Sequence, residues 1–418
     1  MKHDEHPYGN WGGVEWNSNH MKKIRKDMVE GAIVKGCEHC YDLEDMGFPS
    51  YRTNYIRDWF EYSGKGEQIH DIIESSINND YHVDTAPMYL DFRLGNMCNL
   101  KCRMCQPQNS SQIQKEYAKI EASDPTSAQF IKDNFTWGQF VGDLTNWEDD
   151  PDFLRQVEEW LPGVCKLYFT GGEPTINLKH RELLDYYIDR GTANEVILDY
   201  NTNMAGVPSK VFNQWKYFKE VHVGMSIDGI YEHFEYIRHP GKFSTVEKNM
   251  RRLDSEEGFD RLVPSVTLTL STMNVLHFLD MQWWMKEQNW KRINQVIIIH
   301  NLYGPEFLNI QNLPTDYKMY IDKRYKQYIL AINRRWNITD EDKAYCKLVE
   351  IRLNSILTHM WDKEGNKEEF KRLWETTHQL DKIRNESWQV SMPEFEKMMK
   401  ECNENRKTTV RLKVAGKK

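Results

Sequence analysis

Met88-Tyr-Leu-Asp-Phe-Arg-Leu-Gly-Asn-Met-Cys98-Asn-Leu-Lys-Cys102-Arg-Met-Cys105 is an extended apolar run that ends in three cysteines spaced C-x3-C-x2-C. Iron–sulfur clusters are held by cysteine thiolates, normally four for a [4Fe–4S] cube. Three thiolates on one short loop leave one iron without a protein ligand. An open position on a metal centre is the usual mark of catalysis rather than of structure. The same triplet also suits a zinc ion with a fourth ligand from elsewhere, or three unrelated thiols.

Outward from this loop, strand-like runs begin near Tyr89, Lys166, Val196, Val221, Val263 and Ile293. Helix-like stretches fall between them, at Asp152–Trp160, Lys179–Arg190, Pro208–Phe218, Thr245–Glu257 and Leu276–Gln288. This alternation implies parallel strands joined by right-handed crossovers. Residues with chemistry gather where those strands end, the edge on which barrel active sites are built. Cys165-Lys-Leu-Tyr-Phe-Thr170 runs into Gly171-Gly172-Glu173-Pro174. The two glycines admit a ligand close to the backbone, and the carboxylate suits an ammonium group. Glu195-Val-Ile-Leu-Asp-Tyr-Asn201-Thr-Asn203 and Val221-His-Val-Gly-Met-Ser226-Ile-Asp228-Gly229 end in small polar residues. Tyr236-Ile-Arg238-His-Pro-Gly-Lys-Phe243 adds an arginine, whose planar fork can grip a carboxylate with two parallel hydrogen bonds. Taken singly, each piece is explained as well by an ordinary turn or a solvated surface group.

In this order, the cysteine triplet and the strand ends resemble the radical S-adenosylmethionine (SAM) superfamily, in its SPASM/twitch-like branch of the type found in phage genomes. The resemblance implies an α/β fold, a partial (β/α)6 TIM-like barrel. It implies a [4Fe–4S] cluster on Cys98, Cys102 and Cys105, with the amine and carboxylate of SAM on the open iron. Gly171, Gly172, Glu173 and Pro174 would hold the methionine amine, and Ser226 and Arg238 the carboxylate and ribose. Asn201, Asn203 and Asp228 complete the expected cofactor contacts. Met104 stands where most members place an aromatic residue on the adenine; methionine is a polarizable packer that can also cover a ring.

Three segments follow: 1–85, an N-terminal twitch/SPASM-like segment; 86–310, the barrel; and 311–418, a helical extension. The first carries Gly36-Cys37-Glu-His-Cys40 before a predicted helix, which resembles half of an auxiliary cluster region together with Trp16-Asn-Ser. Cys37 and Cys40, with His39 or His70, fall short of four cysteine ligands. The readings open there are a second iron–sulfur cluster, zinc, an incomplete cluster, a redox-active dithiol, or a truncated start. An insertion at 122–150 carries Trp137 and Trp147 and reads as a cover for the site or a packed surface loop. The extension holds helix candidates at Tyr317–Trp336, Glu341–Asp362, Lys367–Ile383 and Met392–Glu401. Within it, His378-Gln-Leu-Asp-Lys-Ile-Arg-Asn-Glu-Ser-Trp388 resembles phage-type members. Cys165, Cys346 and Cys402 have no metal-ligand spacing and read as structural.

Of the 418 residues, 39% are hydrophobic, with 14 Trp, 21 Tyr and 17 Phe, enough for a packed core. A net charge of -8 argues against a general attraction to nucleic acid, and the basic stretch Arg406 to Lys418 reads as a solvated end or a partner site. The longest aliphatic run, Val296-Ile-Ile-Ile299, is far short of a membrane span. Eight cysteines without a secretory signal point to a reducing cytoplasm.

The expected activity is reductive cleavage of SAM to a 5′-deoxyadenosyl radical that abstracts hydrogen from a substrate. A reductant such as flavodoxin or ferredoxin would supply the electron. A peptide or protein is the first substrate class and a nucleoside or small metabolite the second. His300, where the sixth strand ends, is a candidate acid–base group or a plain rim histidine. The rival from another class is a non-catalytic iron–sulfur or zinc protein in electron transfer or structure.

Overall fold

The computed structural model describes residues 16–45, 47, 49–127, 129, 133, 148, 151–255 and 260–402. Trp137, Trp147 and the basic tail lie outside the described residues. The chain divides into two compact units, Met1–Leu90 with Trp147–Cys165, and Asp91–Asn146 with Lys166–Lys418.

The first unit is helical, with Asn19–Val29, Glu38–Asp45, Tyr51–Arg57, Gly66–Asn78 and Pro151–Trp160. Ser18 caps Asn19–Val29 by accepting the Met21 N–H, and Ser50 and Thr53 form a capping box on Tyr51–Arg57. Asn17 closes a two-bond bridge to the Val83 backbone at 2.9 Å each way. Met28, Ile56, Phe60, Ile69 and Ile73 line an apolar groove of about 500 Å³.

The second unit is built on six strands, β1 (Tyr89–Arg93), β2 (Lys166–Thr170), β3 (Ile197–Thr202), β4 (Glu220–Ser226), β5 (Leu262–Leu270) and β6 (Ile298–Asn301). Their spatial order is their sequence order, and β2 through β6 pair in parallel. Right-handed crossovers that always advance in one direction put every connecting helix on the same face. The burial pattern agrees. On the helix face, Leu167, Phe169, Leu198, Tyr200, Val223, Met225, Val266 and Leu268 are completely buried. On the other, Tyr168, Asp199 and His222 stand in register and are half-buried. The first and last strands do not pair, so the sheet is an open, partial barrel.

The connecting helices fall close to their expected places: Leu178–Asp189, Ser209–Trp215, Phe243–Ser255 and His277–Glu287. Two more, Ser111–Ser123 and Tyr231–Ile237, are not legible in the sequence pattern. The second has only seven residues and is held by burial of His233, Phe234, Tyr236 and Ile237 rather than by propensity.

The sixth strand begins at Ile298, not near Ile293. The Asp254 carboxylate accepts the N–H groups of Lys291, Arg292 and Ile293, and Gln282 accepts that of Ile297, so these donors are taken by side chains. The C-terminal helices Thr315–Trp336, Asp340–Trp361, Lys367–Arg384 and 393–402 match the sequence pattern within two residues. No described helix is long and apolar enough to cross a membrane.

Candidate active site

The cysteine loop is fixed to its surroundings mostly through backbone groups. The N–H groups of Lys101 and Arg103 donate to His239 O (2.6 Å) and Ile237 O (2.8 Å), so both neighbours of Cys102 are tied to one segment. Ser110, the N-cap of Ser111–Ser123, turns its hydroxyl to Leu100 O at 2.7 Å. The Leu100 N–H donates to Cys98 Sγ (3.4 Å), and Arg238 Nη1 lies 3.9 Å from Cys102 Sγ.

Cys98, Cys102 and Cys105 line one cavity of about 500 Å³, in the size range of small-molecule sites. From the sequence-derived set, Met104, Gly171, Gly172, Glu173, Asn201, Asn203, Ser226 and Arg238 share its wall. Thr269 and Gly304, past the middle of β5 and after β6, also line it and were not singled out. The strand-end rule that found Ser226 would have found them.

Two expected contacts are not on the wall. Pro174 is buried behind it, where it opens a short helical turn. Asp228, with no exposed surface, grips Arg238 by its Nε (2.7 Å) and Nη2 (2.6 Å) and accepts the Thr269 N–H (2.9 Å). It orients the arginine and ties the end of β4 to β5. The pairing matters because an unpaired carboxylate at that depth is expensive.

The glycine pair also lets two parts of the chain approach closely. A Cβ on Gly172 would sit 2.2 Å from Met97 O, and one on Gly171, at φ +113°, 3.2 Å from Gly95 O. The close approach is between β2 and the cysteine loop, sealed by the Glu173 N–H donating to Met97 O (2.7 Å). Glu173 itself is held by several donors. Its carboxylate accepts from the Thr175 hydroxyl (2.6 Å), the Thr202 hydroxyl (2.7 Å) and the Asn203 N–H (2.7 Å). Burial raises its pKa above the ordinary carboxylate value, against those hydrogen bonds.

Burial likewise pushes the Cys98 and Cys105 thiols up to about 12, with the neighbouring cysteines adding to it. At neutral pH both are thiols in the metal-free protein, so loading a cation there releases protons. The three sulfurs do not all lie within 4.8 Å of one another.

Cys37 precedes the helix Glu38–Asp45 and Cys40 lies inside it. Among the described residues, no further His, Cys, Asp or Glu joins them to make a group of three within 4.8 Å. Cys346 and Cys402 are buried, and the Cys165 thiol donates to Met88 O, as structural thiols do. His300 is exposed and is not on the cavity wall.

His233, His277 and Glu394 form the one such group of three among the described residues. The two rings stack 3.8 Å apart at 2°, so their in-plane lone pairs run parallel and do not converge on an ion. His277 Nε2 accepts the Ile230 N–H (3.1 Å), which leaves the proton on Nδ1, the atom facing Glu394. Glu394, in the first turn of the helix at 393–402, lies 3.3 Å from His233 Nδ1 and 3.6 Å from His277 Nδ1.

Fold and site together define a class: an open α/β barrel whose strand ends face a three-cysteine loop. Similar solved structures are native anSMEcpe with bound AdoMet and Streptococcus suis SuiB. The first is 18% identical, with a TM-score of 0.35, covering 60% of each chain. SuiB bound to the precursor peptide SuiA is 11% identical, with a TM-score of 0.35, covering 71% of this chain and 59% of that one. SuiB bound to S-adenosylmethionine is 10% identical, with a TM-score of 0.34, covering 74% and 60%. The chain thus spans about 60% of the length of these structures. Likeness at this level carries no argument about activity. No family model matches the chain, and no curated protein does.

Proposed function

We propose that this chain is a radical SAM enzyme. The observation that carries the reading is the cavity, where three thiols from one loop meet the polar ends of β2, β3 and β4. Cys98, Cys102 and Cys105 would hold a [4Fe–4S] cluster, and the Leu100 N–H and Arg238 Nη1 face its sulfur ligands as the donors that stabilise thiolates. When bound, such a cluster supplies the electron that cleaves SAM to methionine and a 5′-deoxyadenosyl radical, which takes hydrogen from a substrate carbon.

The chain's own residues bind and orient. Arg238 is fixed by Asp228 and offers its remaining N–H groups to a carboxylate. Asn201, Asn203 and Ser226 present neutral hydrogen-bonding groups for an amine, a ribose or a carboxylate. Glu173 holds the Asn203 backbone in place and contributes negative charge near an ammonium. Met104 offers a polarizable cover for the adenine. On this reading the substrate is a peptide or protein, the electron comes from a flavodoxin or ferredoxin, and the enzyme works in the cytoplasm. Cys37 and Cys40 would contribute two thiolates to a second iron–sulfur cluster.

The test uses anaerobically reconstituted protein, dithionite and SAM. About four irons per chain and 5′-deoxyadenosine in the chromatogram are expected. A bound cluster with no SAM cleavage would move the chain to the electron-transfer or structural class.

Arg238→Ala is a poor probe of SAM contact, since it leaves Asp228 buried and unpaired, at a cost of about 3 kcal/mol or more in stability. Asn201 is the better one, being exposed, with its side-chain amide donating to the Tyr168 hydroxyl. Asn201→Ala is expected to leave stability within about 0.5 kcal/mol and to weaken SAM binding about fivefold, the worth of one hydrogen bond. Calorimetric titration of the loaded protein measures it.

A further inference from the structure

The C-terminal extension reaches the middle of the cysteine loop. Arg103, between Cys102 and Met104, has a fully buried side chain. Its Nη2 donates to Asp381 Oδ1 and to Glu386 Oε2, both at 2.6 Å. Its Nε donates to Tyr236 O (3.0 Å), and its guanidinium lies 3.7 Å from the centre of the Tyr236 ring.

The same two carboxylates also hold the segment that receives the loop. The Tyr236 hydroxyl donates to Asp381 (2.8 Å), and His239 Nδ1 lies 2.6 Å from Glu386. Ile237 and His239 are the residues whose carbonyls take the Arg103 and Lys101 N–H groups, and Arg238 between them faces Cys102 Sγ. Asp381 and Glu386 therefore grip both sides of the junction around Cys102. Trp388 locks Asp381 from behind by donating its backbone N–H (2.9 Å). A second tie runs alongside, with Lys101 and Arg384 both paired to Glu116, at 2.6 and 2.8 Å.

Net stability does not explain this arrangement. Burying an arginine with two carboxylates gains little over well-packed apolar groups, because desolvation consumes most of the attraction. Such a network does disfavour alternative geometries, since moving the loop away would leave the buried Arg103 without both of its carboxylates. The loop it fixes carries three thiols that must hold one spacing.

We propose that Asp381 and Glu386 are positioning residues, forming a clamp from the C-terminal extension that sets the geometry of Cys102 and retains whatever group the cysteine loop binds. As regards a cluster, this rests on the reading above; as regards the loop, it stands on the contacts alone. The role is indirect, since both residues act through Arg103 and His239.

The experiment compares the parent with the double variant Asp381→Asn/Glu386→Gln, and with Glu386→Gln alone as the milder change. Metal-free protein is alkylated with iodoacetamide under native conditions, and labelling of each cysteine is timed by peptide mass spectrometry. Cys346, buried between the helices Thr315–Trp336 and Asp340–Trp361, reports on global opening. The double variant is expected to expose Cys102 to labelling about tenfold faster with Cys346 unchanged, as local opening requires. After anaerobic reconstitution it should lose iron to a chelator faster by a similar factor, with an altered electron paramagnetic resonance line shape.

Equal Cys102 rates in folded parent and variant would overturn the clamp. So would equal acceleration of Cys102 and Cys346, which would mark a role in overall stability alone. If the parent takes up no iron while Cys102 is still unmasked in the variant, the clamp on the loop stands and the radical SAM reading fails.

Discussion

Cys102→Ala is expected to leave the protein folded, to cut iron uptake to well under half, and to lower 5′-deoxyadenosine formation by about a thousandfold, because two thiolates cannot hold a cube that needs at least three. Cys102 is the central thiol of the loop and, on the proposed function, a ligand of the cluster. Both of its neighbours donate backbone hydrogen bonds to the 237–239 segment, and its sulfur faces Arg238. The backbone geometry therefore survives loss of the side chain. Removing one sulfur from a packed wall costs about 1 kcal/mol, small beside the stability of a domain of this size. Iron and sulfide counts, the resonance spectrum of the reduced protein and chromatography of the nucleoside products measure the result. Thermal unfolding of the metal-free variant separates loss of ligand from loss of fold. Full iron content and full turnover in Cys102→Ala would remove this residue from the metal site and with it the basis of the proposed function.

Gly172→Ala is expected to be nearly as damaging, by a different route. The added methyl would meet Met97 O at 2.2 Å, Met97 C at 2.6 Å and Asn96 C at 2.8 Å. All three are backbone atoms, so no side-chain rotation relieves the overlap. The end of β2 and the cysteine loop must move apart, which breaks the Glu173 N–H bond to Met97 O and shifts two walls of the cavity together. A loss of about 3 kcal/mol is expected, at the upper end for overpacking, along with most of the iron. Gly191→Ala is the control. There φ is +69° and nothing lies within 4 Å of the added carbon, so only the left-handed backbone penalty of about 1 kcal/mol applies. Chemical denaturation of the metal-free proteins gives both values. Equal losses in the two variants would show that the contact to Met97 is not what holds the loop.

Much of this architecture was legible from periodicity. Alternating strand and helix patterns placed five of the six strand starts within one residue of where they lie, because buried parallel strands and amphipathic helices bury different faces. The start of β6 was not, since Asp254 and Gln282 claim its preceding N–H groups from far along the chain. The site was legible where it is written in local motifs: the cysteine spacing, the glycine pair and the polar strand ends. Asp228 shows the limit. Its place after β4 was evident, but its commitment to Arg238 depends on two segments meeting.

By itself the sequence determined that parallel strands present their ends to a three-thiol loop, because residue spacing and hydrophobic period are local properties of the chain. Only the tertiary structure decided what fixes that loop. Arg103 meets Asp381 and Glu386 across 278 and 283 positions, and no local pattern marks an arginine in a cysteine run as buried. The same holds for the glycine pair, which the close approach of the Asn96 and Met97 backbone to Gly172 already requires. Contacts of this kind are set by which buried charges and close-packed backbones can satisfy one another once the sheet has brought them together.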